Sequence, residues 1–196
     1  MPQYFDMNRR SELYATNDFT FAIAVILSAQ ATDKKVNEVT PALFATADTP
    51  EKMLELGIDG LKKHIRVISF FNNKAKNIIA LSHELLGRDL PRDHDALVAL
   101  PGIGQKTANV IMNVLWDAPV IGVDTHLFRL SHRFGWSVAN TPEKTEHDLY
   151  KIIPKKYWHI TNHVMVLHGR YICKAIRPQC ADCPVQKLCP KLGVKS

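Results

Sequence analysis

Hydrophobic positions recur at helical spacing along almost the whole chain. Asn17 and Asp18 stand where an N-cap is expected, ahead of an apolar run from Phe19 to Leu27. Asp33 caps a second expected helix through Val36, Val39 and Leu43, in which Pro41 should produce a kink or an early end. Thr49-Pro50 places proline at a first helical position and opens a helix through Met53, Leu54 and Leu56 that stops at Gly57. Leu61 to Ile68 is a shorter candidate. From Asn73 onward, Ile78, Leu81 and Leu85 share one face, with Gly87 placed as a C-cap. Asp93 to Leu100 makes a short helix, Pro101-Gly102-Ile103-Gly104 turns, and Lys106 to Trp116 is helical again. Asp124 caps a helix through Leu127, Leu130 and Phe134, Thr141-Pro142 starts another, and a last one runs from about Trp158 to Cys173. No run alternates with period two between turn signals, so the chain reads as all-α.

Element order suggests two helical lobes. One spans residues 32–137, and the other combines residues 1–31 with 138–196 and ends in a cysteine-containing loop. The first apolar run also imitates a secretory signal, because Arg9 and Arg10 precede it and Ala29-Gln30-Ala31 follows it. The N-cap residues argue for a helix start instead, and the run is too short to span a bilayer. It reads as a buried helix of a cytoplasmic protein, where disulfides are rare.

Composition narrows the function classes. A chain of 196 residues, 46% hydrophobic and 22% charged, can bury a real core in one domain or two small ones. The absence of any repeat, glycine-rich or heptad pattern excludes collagen, coiled coil and low-complexity disorder. A formal charge of +6 favours a polyanionic partner. Much of that charge gathers at the C-terminal end, where Lys174, Arg177, Lys187, Lys191 and Lys195 face only Asp182, and all the cysteines lie in the same stretch.

Three motifs carry chemistry. In Leu100-Pro101-Gly102-Ile103-Gly104-Gln105-Lys106-Thr107, Gly102 and Gly104 allow a tight turn and close approach of backbone to a ligand. The N–H groups of the turn and of the next helix start then form an anion site suited to a nucleic-acid phosphate; a plain helix–helix turn is the simpler alternative. Lys106 sits at the N-terminal turn of that next helix, where the dipole disfavours an ammonium ion. An amine nucleophile must be unprotonated, and partial desolvation has to add to what the dipole supplies. The second motif is Val123-Asp124-Thr125-His126. Asp124 is an N-cap by position, and a capping carboxylate can also take a proton from the Lys106 ammonium or stabilise positive charge developing on a sugar. The third is Cys173-x6-Cys180-x2-Cys183-x5-Cys189, one tetrathiolate site. Zinc and an iron–sulfur cluster both remain open on spacing, with disulfides third.

These motifs, in this order, resemble the endonuclease III family of DNA glycosylase/AP lyases, from about Phe19 to Pro190. The resemblance includes Leu27-Ser28-Ala29-Gln30-Ala31-Thr32-Asp33, the helix-hairpin-helix with Lys106, the Asp124 motif, Leu167-His168-Gly169-Arg170-Tyr171 and the cysteine spacing. It implies a bifunctional enzyme of base-excision repair. Such an enzyme removes oxidised or damaged pyrimidines from double-stranded DNA and cleaves the abasic site through a lysine Schiff base. It implies Lys106 as nucleophile, Asp124 as its assistant, and a 4Fe–4S cluster on Cys173, Cys180, Cys183 and Cys189. DNA would enter a cleft between the lobes, with the damaged base flipped out. Gln30 and a residue of the Ile68-Ser69-Phe70-Phe71-Asn72 loop, here Phe70, would fill the gap. Lys174 and Arg177 would contact DNA from the cluster loop, and His126 would line the pocket. Core packing for Phe70 and a satisfied side chain for His126 are the alternatives. His168 and Arg170 read as structural or phosphate-facing.

The chain departs from the family at Gln105, where arginine is common, and at Ser69, where glycine is usual. Only a short polar stretch precedes Phe19, where the family usually has a longer segment. A monofunctional mismatch glycosylase is disfavoured by Lys106. A non-catalytic DNA-binding module leaves the Lys106 and Asp124 pair unexplained. The expected protein is a monomer acting on DNA.

Overall fold

The computed structural model describes residues 11–194, and every regular element among them is helical. Two compact units meet the chain at Trp116–Asp117.

The first unit begins with α1 (Asp18–Ser28), opened by a reciprocal capping box in which Asn17 accepts from Thr20 N and Thr20 in turn accepts from Asn17 N. Every residue from Phe19 to Leu27 is buried. A helix apolar on all sides needs neighbours on all sides, and α1 has them in α2 (Asp33–Thr46), α4 (Phe71–Glu84) and α6 (Gln105–Trp116). Among the described residues, no helix is long and apolar enough to cross a membrane. Arg9 and Arg10 of the signal-like pattern lie outside the described residues.

Pro41 does not end α2, which continues to Thr46. A proline removes one backbone donor, and the helix is held on both sides of it, with Val36, Leu43 and Phe44 buried. The stretch α3 (Pro50–Ile65) is broken at Gly57, whose φ of 67° and ψ of 171° are not helical, so the two pieces expected from the sequence are present. α4 packs on α3, and the short α5 (His94–Val98), capped by Asp93, packs on α6. Ile23, Leu27, Leu43, Met53, Leu61, Ile78 and Ile111 are fully buried in this core, each worth about 1.5–3 kcal/mol relative to exposure.

The second unit holds α7 (Thr125–Arg133), α8 (Pro142–Ile152), a single 3-10 turn (Lys155–Tyr157), α9 (Trp158–Tyr171) and the cysteine loop. Its core gathers Ile121, Val123, Leu127, Leu130, Leu149 and Met165. α7 packs on α9 at Gly169, where a Cβ would stand 2.9 Å from His126 Cβ.

This division differs from the expected lobes of 32–137 and 1–31 plus 138–196. Residues 11–31 belong with α2 to α6 because α1 is the centre of that core. Residues 117–137 belong with the cysteine segment because α7 packs on α9 and α8. Residues 1–10 of the expected second lobe lie outside the described residues.

Candidate active site and cysteine pocket

The hairpin between α5 and α6 is built from its glycines. Gly102 has φ of 80°, and a Cβ there would meet Asn77 Cβ of α4 at 2.9 Å, so both backbone and space demand glycine. A Cβ on Gly104 would meet nothing within 4 Å. The packing around Gly104 therefore leaves room for a side chain. Ile103 is buried between them and its N–H donates to Leu100 O at 3.1 Å, which closes the turn. α6 starts at Gln105, so Lys106 is its second residue, and its side chain is exposed. First-turn N–H groups of a helix have no intrahelical acceptor, so an exposed lysine stands beside donors suited to a phosphate.

Asp124 is held in the second unit by several elements. Its side chain accepts from Leu127 N at 2.7 Å and so caps α7. The extended segment leading to it is pinned twice: Ile121 N donates to the Tyr150 hydroxyl at 3.0 Å, and Gly122 N to Asn162 Oδ1 at 3.1 Å. Burial pushes the Tyr150 phenol up to about 12. Asp124 is only half-buried, so the cap leaves its carboxylate reachable. His126 is half-buried, against Gly169 and within 3.3 Å of Arg129 Nη2.

Gln30 and Phe70 share an unusual presentation. Both are exposed, Phe70 at 64%, and both have left-handed backbone, with φ of 56° and 58°. Gln30 follows the end of α1 and Phe70 is the N-cap of α4. Core packing for Phe70 is thereby excluded.

Cys173, Cys180, Cys183 and Cys189 line one pocket and form no disulfide. Among the described residues, no three His, Cys, Asp or Glu side chains converge to hold a single metal ion. Burial pushes the Cys183 thiol up, and charge on the other three cysteines acts in the same direction. Four thiols around one pocket suit a cationic group that takes them as thiolates. Arg133, on α7, is 8% exposed and reaches into the loop. Its Nη1 donates to Cys173 O, to Cys173 Sγ at 3.2 Å and to Lys174 O at 2.7 Å, and its Nη2 to Ala175 O at 3.0 Å. Gln179 N donates to Ile172 O at 2.9 Å and closes the loop, on which Lys174 and Arg177 are exposed. His168 is buried, its Nε2 is 3.8 Å from Cys183 Sγ, and burial pushes its imidazole down toward the neutral form.

The model of the HhH-GPD superfamily base excision DNA repair protein family matches residues 23–155. The chain belongs to this family. It is 52% identical over 185 residues to endonuclease III of Rickettsia conorii, covering 93% of this chain and 88% of that one. Among solved structures, a non-covalent endonuclease III–DNA complex is 44% identical with a TM-score of 0.87, covering 92% of this chain and 86% of that one. A trapped endonuclease III–DNA covalent intermediate, an estranged-adenine complex, is also 44% identical, with a TM-score of 0.88 and coverage of 92% and 87%.

The HhH-GPD chain contains positioning residues that the sequence pattern did not single out. Arg129 ties α7 to the end of α9, donating to Gly169 O at 2.8 Å and Cys173 O at 3.0 Å. Arg133 does the same for the cysteine loop. Lys74, 7% exposed, donates to Leu27 O and Ala29 O. An Arg-x3-Arg pair on one helix face is the only local signal for the first two. Lys74 has none, since a lysine among polar neighbours reads as surface.

Proposed function

We propose that this member of the base excision repair family is a bifunctional DNA N-glycosylase and AP lyase acting on damaged pyrimidines in double-stranded DNA, with Lys106 as its nucleophile. The observation that carries the reading is the exposed Lys106 amine on the first turn of α6, directly after a glycine hairpin. The relative caught as a covalent DNA intermediate supports it.

The hairpin backbone at Gly102 and Gly104 binds phosphate and brings the sugar to Lys106. The neutral Lys106 amine attacks C1′. An N–C1′ bond forms as the glycosidic bond breaks, its electron pair leaves with the base, and the base takes a proton. Opening of the sugar ring gives the protonated Schiff base. Loss of a C2′ proton then expels the 3′ phosphate from C3′, and hydrolysis releases Lys106. Asp124 takes the proton from the Lys106 ammonium and stabilises positive charge on the sugar. Because Lys106 is exposed, exclusion of water from its amine falls to the bound DNA. Gln30 and Phe70 fill the gap left by the flipped base, His126 faces the pocket, and Lys174 and Arg177 meet the DNA backbone from the cysteine loop.

The cofactor reading is a 4Fe–4S cluster on Cys173, Cys180, Cys183 and Cys189. Four free thiols around one pocket, at spacings of six, two and five residues with only one close pair, support a thiolate-held cluster. Bound there, the cluster would cross-link the loop that carries Lys174 and Arg177. The enzyme acts as a monomer in the cytoplasm, where its DNA lies.

Borohydride trapping on a duplex with one abasic site tests the proposal. The expected result is a covalent adduct with the native protein and none with Lys106→Ala, which still binds the duplex. Asp124→Asn, which keeps the cap, slows both steps. An adduct that survives in Lys106→Ala overturns the nucleophile; tight binding by the native protein with no adduct points to a monofunctional glycosylase or a binding module.

A further inference from the structure

Lys74 is a buried lysine that meets no carboxylate among the described residues. It lies in the first turn of α4, and its ammonium donates to Leu27 O at 2.8 Å and Ala29 O at 2.6 Å. Lysine is almost never so buried unless paired, and burial pushes its ammonium down from the usual lysine range. An apolar side chain would pack α4 on α1 without that penalty. Charge at this place must therefore do something besides packing.

Its two ends touch the two exposed left-handed turns. Ala29 is the C-cap of α1, and the next residue is Gln30 with φ of 56°. The backbone N–H of Lys74 donates to Phe70 O at 3.1 Å, and Phe70 is the N-cap of α4 with φ of 58° and no side-chain capping bond. Side chains bearing a Cβ keep such backbone only where the surroundings impose it. Lys74 supplies that imposition for both turns: its backbone holds the carbonyl of Phe70, and its ammonium holds the carbonyl just before Gln30. The ammonium also sits at the negative end of the α1 dipole, which reinforces the grip.

We infer that Lys74 is a positioning residue that fixes the spacing between the turns presenting Gln30 and Phe70, so that both side chains enter the gap in the duplex together. The inference rests on the gap-filling reading of Gln30 and Phe70 proposed above.

The test compares two substrates in single-turnover assays. One is a duplex with a single thymine glycol, whose base must be flipped; the other is the same duplex with a preformed abasic site, which has no base to extrude. Lys74→Met is expected to slow thymine glycol excision roughly 10- to 10²-fold, the penalty of misplaced groups, and to slow abasic cleavage far less. Lys74→Arg, which keeps a charged donor, restores most of the rate. Adding Lys74→Met to the combined Phe70→Ala and Gln30→Ala variant should slow it no further. Circular dichroism checks that each variant folds, and Lys74→Gln replaces Lys74→Met if the methionine variant does not. Equal slowing on both substrates, no slowing at all, or no rescue by arginine overturns the role of Lys74. Wild-type excision by both Phe70→Ala and Gln30→Ala overturns instead the gap-filling reading beneath it.

Discussion

Replacing Arg133 by methionine removes the guanidinium from the cysteine loop and keeps an apolar stem of similar length. Three carbonyls lose a charged donor: Cys173 O, Lys174 O and Ala175 O. Cys173 O keeps the bonds from Arg129 Nε and Nη2, so it loses one of its donors without being left unpaired, which costs about 1 kcal/mol. Lys174 and Ala175 are exposed, so their carbonyls rehydrate, and each loses at most about 1 kcal/mol. The total centres on about 2 kcal/mol. For a chain of this size each kcal/mol moves the melting temperature by about 2–4 °C, so a fall of roughly 4–8 °C is expected. Thermal unfolding by circular dichroism measures it, and amide exchange locates it. The amides of Cys173 and Gln179, bonded to His168 O and Ile172 O, should lose protection while those of α1 keep theirs. Arg133→Lys offers donors without the planar fork and should recover only part of the loss. A shift under about 2 °C with unchanged exchange at Gln179 would refute the reasoning, because it would mean the loop holds its shape without Arg133.

Two further outcomes separate fold from function. Gly102→Ala meets Asn77 Cβ at 2.9 Å and forces a side chain into φ of 80°, so it should lose about 1–3 kcal/mol of stability by denaturant titration along with DNA affinity. Gly104→Ala meets nothing and should keep stability while weakening binding to an abasic duplex in a fluorescence anisotropy titration. Tyr150 predicts an alkaline limit. Its phenol is raised from 10.0 to about 12 by burial, so between those values the unfolded chain ionises first and folding binds more protons. Stability is therefore complete below pH 10 and falls as pH rises toward about 12, by at most about 2–3 kcal/mol. Tyr150→Phe should flatten that fall in a pH series of urea melts. A fall of equal steepness in the variant would assign it to other groups.

What the sequence made legible was local. The caps read at Asn17 and Asp124 each sit at a helix start, and that of α2 is Thr32, one residue before the expected Asp33, because a cap needs only its own side chain and an amide two or three residues on. The hairpin and the cysteine spacing were legible for the same reason. The division of the chain was not. α1 is apolar on every side, so its periodicity names no partner, and only the packed structure shows that α2, α4 and α6 surround it. Pro41 misled because the rule against proline counts one missing bond and cannot weigh the burial of Val36 and Phe44 that holds α2 together around it. Lys74, Arg129 and Arg133 were invisible because their partners are backbone carbonyls more than forty residues away for the first and about forty for the others. A carbonyl carries no residue identity, so no pattern in the letters points to it.

That choice of partner has a consequence for charge. A carboxylate beside a buried cation satisfies its hydrogen bonds and cancels its field together. A carbonyl satisfies the bonds and leaves the charge standing, which raises the desolvation penalty but preserves attraction for a polyanion. Lys74 is of this kind, held by Leu27 O and Ala29 O, and it keeps its charge next to the turns of Gln30 and Phe70. Arg133 differs in one respect, since Cys173 Sγ lies 3.2 Å away and becomes an anion when the cysteine binds a metal group. The same side chain then shifts from holding loop carbonyls to balancing a thiolate as well. Metal binding should accordingly stabilise the native loop more than it stabilises the loop of Arg133→Met. The gap between the two melting temperatures should widen, rather than close, when iron and sulfide are supplied to form the proposed cluster.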